Sequence, residues 1–292
     1  MKKQKHRRNA VVPVLILVLC LACAAMFILR RSSAPEPEPD PHAGQVQIFN
    51  GSDYTWIVPE EGVPASELTA DDFIADESGA PVYTGSEYTA LRGIDVSGFQ
   101  GDIDWEAVKA SGMDFALIRI GGRGYGEEGK LYSDERFAQN IDGAKAAGLM
   151  TGVYFFSQAL NTEEAGEEAD LVLELLDGRK LDLPVYFDWE RIGSVPARTD
   201  IVNGAAATDC AVAFCERIRS GGYRPGVYLY QYTGYYLYEL SRLTDYDLWC
   251  ASLGDYPYFY YAHKIWQYAT EGSVPGIDTV CDMNMMFIKN LT

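Results

Sequence analysis

From Leu91 onward the chain alternates short β-rich runs with helical patterns: LRGIDVS, a helix over 104–111, FALIRIG, a helix over 134–147, GVYFFS, a helix over 162–176, PVYFDW, a helix over 208–220, and GVYLYQ. Strands joined through helices lie parallel in one sheet. Three more β-rich runs follow without long helices between them: DLWCAS, KIWQYA and TVCDMNMMF. Five βα units and three strands make eight, enough to close a barrel. The spacing therefore predicts an α/β fold, an eight-stranded TIM-like barrel of (β/α)5(β)3 type over residues 91–292. Asp104 and Thr208 can serve as N-caps, and Glu163 with Glu164 suits a helix's positive end.

The segment ahead of the barrel is of another kind. MKKQKHRRN, residues 1–9, is a basic tail, and residues 10–29 (AVVPVLILVLCLACAAMFIL) are uncharged and long enough to span a bilayer as a helix. Five basic residues before this run and two after it place the N-terminus in the cytoplasm and the barrel outside the cell. A secreted product, cleaved after Ala22-Cys23-Ala24, is the rival reading. Residues 30–44 alternate Pro with acid and read as an extended linker; residues 45–90 read as an accessory or stalk region. Seven of the 24 Lys and Arg fall within the first 31 residues, which hold no acid, so the rest carries 17 bases against 42 acids. Such a body repels nucleic acid, and a monomer is expected.

The run PVYFDWER ends in two carboxylates. Read as a strand, it sends Val185, Phe187 and Trp189 to one face and Tyr186, Asp188 and Glu190 to the other. Paired acids on an inward face are either locked in an ion-pair network, with Arg119 or Arg191 as partners, or used for chemistry. Asp95 closes the first strand and Asp282 lies in the last, so four carboxylates converge where such barrels keep their active sites. Crowding of this kind raises at least one pKa, as a general acid requires, and paired carboxylates are the apparatus for glycosidic bond cleavage.

In order and spacing, RGIDVSGFQGDIDW, GVYFF, PVYFDWE and IWQYATEGSVPGIDTVCDMNMMF resemble the glycoside hydrolase family 25 lysozymes, the Chalaropsis-type muramidases. The resemblance implies hydrolysis of the β-1,4 bond between N-acetylmuramic acid and N-acetylglucosamine in peptidoglycan, with active-site acids at Asp95, Asp188, Glu190 and Asp282. Many members carry Tyr-His-Phe where this chain has Tyr154-Phe155-Phe156.

Glu190 is the candidate general acid and Asp188 the group that steers the sugar's 2-acetamido carbonyl as an internal nucleophile, with Asp95 and Asp282 in support. Two residues of strand separate Asp188 from Glu190 by roughly 7 Å, which leaves inverting and retaining outcomes open. Tyr154, Tyr228 and Trp266 are candidate sugar platforms, and Arg119 and Gln267 candidate substrate contacts. Cys250 and Cys281 either pair or remain free thiols. His263 reads as a surface or capping residue. Neither a metal-ligand cluster nor a phosphate loop is present, so no metal and no cofactor is expected. Two other functions compete: a glycan-binding barrel without turnover, and a hydrolase of another N-acetylated polysaccharide such as chitin.

Overall fold

In the computed structural model, residues 11–32 and 40–291 are described. The basic tail, Ala10 and residues 33–39 of the Pro/acid linker lie outside them. Chain up to Gly44 and chain from Gln45 form separate units. The first contains helix α1, Val11–Ser32, whose side chains are described from Ile16 to Ile28 and are exposed. Among the described residues no helix is long and apolar enough to cross a membrane, so the expected span of residues 10–29 is not shown.

In the second unit, eight strands close on themselves: β5 (Tyr88–Val96), β6 (Phe115–Arg123), β8 (Met150–Ser157), β9 (Val185–Trp189), β10 (Pro225–Tyr230), β11 (Asp247–Ala251), β12 (Ile265–Gly272) and β13 (Cys281–Lys289), with β5 paired to both β6 and β13. A short strand β7, Leu131–Ser133, adds to β6 at its edge. Helices α2 (Trp105–Ala110), α3 (Phe137–Ala146), α4 (Thr162–Leu176) and α5 (Gly204–Ser220) make the crossovers, and a six-residue α6, Gln231–Tyr236, follows β10. The neighbours from β5 through β12 run parallel, whereas β13 is antiparallel to β12 and β5. Its connection to β12 carries no crossover helix, and a short connection returns the chain antiparallel.

Alternation sorts the two cores. Ile94, Val96, Val185, Phe187 and Trp189 pack with the helices outside the barrel, whereas Phe115, Leu117, Tyr186, Tyr228, Trp249, Ile265 and Met286 fill its interior. Tyr186 reaches across only because its neighbour lacks a side chain: a Cβ at Gly226 would stand 2.4 Å from the Tyr186 ring and 2.7 Å from the Asp247 carbonyl oxygen.

Two helix starts differ from the sequence expectation. Asp104 caps α2 by accepting from the Ala107 amide at 3.1 Å, but α5 begins a turn earlier than Thr208. Asn203 caps it through the Ala206 amide, and the alanines that follow favour helix. Thr208 lies inside, its hydroxyl bonded to the Gly204 carbonyl at 2.8 Å. Helix α3 starts at Phe137, not Asp134, because Asp134 is drawn into contacts with Gly98, Arg136 and Arg119.

Residues 45–90 do not stand off as a stalk. Strands β1 (Val46–Phe49) and β2 (Tyr54–Ile57) form a hairpin, β3 (Phe73–Ala75) and β4 (Pro81–Tyr83) a second. Phe73 packs edge-on to Trp266 and Phe287, Glu60 accepts from the Leu240 and Ser241 amides, and Gln231 Nε2 donates to the Phe49 carbonyl at 2.8 Å. All six cysteines are free, those in the barrel being buried, so Cys250 and Cys281 do not pair. His263 is half-buried, with its Nδ1 2.9 Å from the Tyr261 carbonyl, and burial lowers it to about 4.

Candidate active site

Asp95 and Asp188 are each the last but one residue of a parallel strand, and Glu190 follows β9 directly. Strand β13 runs the other way, so its beginning lies at the same mouth, and Asp282 stands opposite Asp95 in the register. Four acids thus meet at the C-terminal end of the barrel, where loops and strand ends leave room for a ligand.

The hydrogen-bond partners of Asp95 and Asp282 are neutral amides. Gln267 Nε2 donates to Asp95 Oδ2 and Asp282 Oδ2, both at 2.9 Å, and Asn284 Nδ2 donates to Asp95 Oδ2 at 2.7 Å. Those amides are themselves held: Trp249 Nε1 donates to Asn284 at 2.8 Å and the Tyr228 hydroxyl to Gln267 at 3.1 Å. Among the described residues no arginine forms a salt bridge with the four acids, although the charge of Arg119 partly offsets the rise at Asp188. Arg119 pairs with Asp134 at 2.8 Å and Arg191 donates to the Val202 carbonyl, so the ion-pair reading of Asp188 and Glu190 fails.

Buried charge without a counterion favours the protonated form. Burial raises Asp95 to about 6 against the bonds from Asn284 and Gln267, which favour its ion. Asp282 rises to about 8, through burial and then the adjacent Asp95. Asp188 is pushed well above the usual carboxylate range by burial and by Glu190, and burial also raises Glu190. Asp188 Oδ1 is buried with no partner. Both acids of PVYFDWER are therefore shifted towards their protonated forms, by burial first and, at Asp188, by the neighbouring Glu190.

A stability consequence follows for Asp282. Its folded value, about 8, exceeds the ordinary 3.8, so its contribution is fully present below the ordinary value and is lost as pH rises towards 8. Asp282→Asn removes that loss. The variant is expected to melt a few degrees above the parent at pH 8 and level with it near pH 4; equal melting curves at both pH values would contradict this.

The remaining candidates divide. Tyr154 stands among the acids, its hydroxyl raised by burial and then by Asp95, with its ring edge-on to Trp249 at 5.7 Å. Tyr228 and Gln267 line a cavity of about 390 Å³ that also takes in Glu190. Trp266 is a correction: it points out of the barrel, fully buried, and donates to the Ser252 carbonyl at 2.7 Å, so it offers no sugar platform. Its strand neighbour Gln267 has the inward parity. Arg119 is committed to Asp134, with its guanidinium 5.0 Å from the Phe99 ring centre. Asn284 was missed, although its place two residues after Asp282 puts it on the same strand face.

A closed barrel with its acids and amides gathered at the C-terminal mouth places the chain among the barrel enzymes. More narrowly, it belongs to the glycosyl hydrolases family 25, whose sequence model matches residues 94–277. It is 29% identical over 196 residues to the autolytic lysozyme of Clostridium acetobutylicum, covering 66% of this chain and 55% of that protein. Over 85 residues it is 38% identical to lysozyme M1 of Streptomyces globisporus, covering 29% of this chain and 26% of that one. The chain thus spans about half the length of the first of these relatives and about a quarter of the second. Among solved structures, a family 25 glycosyl hydrolase from Bacillus anthracis shares the fold, with TM-score 0.55 at 22% identity over 68% of this chain and 89% of that one. The autolysin LytC of Streptococcus pneumoniae does so with TM-score 0.58 at 20% identity, over 77% and 58%.

Proposed function

We propose that this chain is a peptidoglycan hydrolase of the muramidase type, cleaving the β-1,4 bond between N-acetylmuramic acid and N-acetylglucosamine. One observation carries the reading: four carboxylates share a barrel mouth with neutral amide partners, in a member of a glycosidase family. Family membership supports the substrate class, as do relatives that are lysozymes by name.

Catalysis is read from the partnerless oxygen of Asp188. A 2-acetamido N–H entering beside it supplies the missing hydrogen bond and stabilises ionised Asp188, while Glu190 carries the proton to be given. Glu190 then protonates the leaving oxygen while the acetamido carbonyl attacks the anomeric carbon and the glycosidic bond breaks. Asp188 offsets the positive charge that develops on the acetamido nitrogen, and Glu190, now basic, draws a proton from the water that opens the ring.

Digestion of purified peptidoglycan by the full chain tests the reading through the new reducing ends. Muramic acid at these ends supports it. Glucosamine ends, or bound glycan with no new ends, would return the chitinase-like or glycan-binding alternative.

The apolar run of residues 10–29 supports a tether that keeps the barrel outside the cell. Expressed in a bacterial host, the intact chain should then sediment with membranes and keep its original N-terminus; a soluble product starting near Ala25 would contradict this.

A further inference from the structure

The cavity beside Glu190 has a wall that the family-matched segment does not provide. Residues Phe49, Asn50 and Gly51 line it, and they belong to the hairpin tip that lies ahead of residue 94, where the family match begins. The tip is built to keep its shape: Asn50 Oδ1 accepts from the Ser52 and Asp53 amides at 2.9 Å each. It is latched to the barrel by the bond from Gln231 to Phe49 and by the Phe49 ring, 5.5 Å from that of Tyr258. Across the cavity stand Tyr230 and Tyr232, their rings stacked at 18° with centres 6.5 Å apart.

Arg191 is the one cation among the described residues that line this cavity. It is exposed and makes no salt bridge among the described residues, while one of its donors bonds the Val202 carbonyl at 2.9 Å. A guanidinium has five donors in a planar fork that matches a carboxylate. Its position is informative, because from residue 32 onward the chain carries 17 bases against 42 acids, and an anionic ligand approaching Glu190 meets a net negative body.

Building on the proposed muramidase reading, we infer that this hairpin-walled cavity is a subsite for a carboxylate-bearing sugar, with Arg191 binding the carboxylate. In peptidoglycan that carboxylate comes from the stem peptide or, where the peptide has been removed, from the lactyl ether of the sugar. Both present the same fork to the guanidinium. Chitin has neither, so Arg191 would be the residue that separates the two polymers.

The test compares full-length parent, Arg191→Gln and Arg191→Lys on three soluble glycans of matched length: peptide-bearing strands, amidase-stripped strands with free lactyl carboxylates, and neutral N-acetylglucosamine oligomers. Initial rates give KM and kcat, melting curves confirm folding, and binding of the same glycans to Glu190→Gln, with and without Arg191→Gln, is followed by intrinsic fluorescence. The expected result is a KM raised about tenfold by Arg191→Gln on a carboxylate-bearing glycan, with kcat moved far less and neutral oligomers unaffected. Arg191→Lys should recover part of the loss. An effect on peptide-bearing strands alone assigns the stem peptide, one on stripped strands alone assigns the free lactyl carboxylate, and one on both shows that the site takes either carboxylate. Equal KM values for parent and Arg191→Gln on both anionic glycans, or an equal loss on all three, would overturn the subsite while leaving the muramidase reading intact. If the parent cleaves none of them, the muramidase reading fails. Binding then decides the subsite: weaker binding of anionic glycans on adding Arg191→Gln supports it, and equal or absent binding rejects it.

Discussion

Glu190→Gln is expected to lower kcat/KM on peptidoglycan by about 10³-fold, since a positioned general acid contributes on the order of 10² to 10⁴ in rate. The amide keeps the shape of the acid but has no proton to give. Folding should not suffer. Glu190 sits among acids that raise one another's pKa values, so removing its charge relieves repulsion. The variant should melt at the parent's temperature or slightly above it at neutral pH. A turbidity assay and a melting curve on one preparation check both halves. Sharply lowered stability with the activity loss would make Glu190 a structural residue instead.

Asp188→Asn should lose most activity too, for a different reason. Asparagine can accept the acetamido N–H through its oxygen, but it carries no charge to balance the oxazolinium that forms. The parent should also be inhibited by a thiazoline that mimics this ring. Azide separates substrate assistance from direct attack by Asp188. In enzymes whose own carboxylate attacks the sugar, removing that side chain lets azide substitute, giving a glycosyl azide of inverted anomeric configuration. With Asp188→Ala no such product is expected, because the attacking group is on the substrate. Clean azide rescue with inverted product, together with indifference to the thiazoline, would make Asp188 the nucleophile.

Much of this site is written in local pattern. Period-two alternation places Asp95, Asp188 and Asp282 on inward faces because adjacent strand residues point to opposite sides, and the run of βα units brings their ends to one mouth. The same rule applied to KIWQYA and CDMNMM separates outward Trp266 from inward Gln267 and picks out Asn284. An aromatic residue near a strand end looks like a sugar platform only until parity is counted.

Other features had no local signal. That β13 runs antiparallel follows from its helix-free connection, but its seating between β12 and β5 is a matter of closure, which depends on the whole set of strands. The carboxyl pKa values likewise depend on burial and on partners from three or four strands, which no stretch of sequence contains. Residues 45–90 show the same: their polar, Gly- and Pro-rich composition reads as an accessory or stalk region, yet Phe73 packs on Trp266 and Phe287 while Glu60 and Phe49 bond to the barrel, contacts between residues remote in sequence.

The sequence by itself determined the strand and helix alternation, the faces on which the acids lie and the anionic character of the domain, because each follows from periodicity or charge along the chain. Only the tertiary structure decided that Arg119 serves Asp134, that Cys250 and Cys281 stay apart, and that a hairpin from outside the family match walls the cavity beside Glu190. Those outcomes depend on distances between residues remote in sequence, and such distances exist only once the barrel has closed.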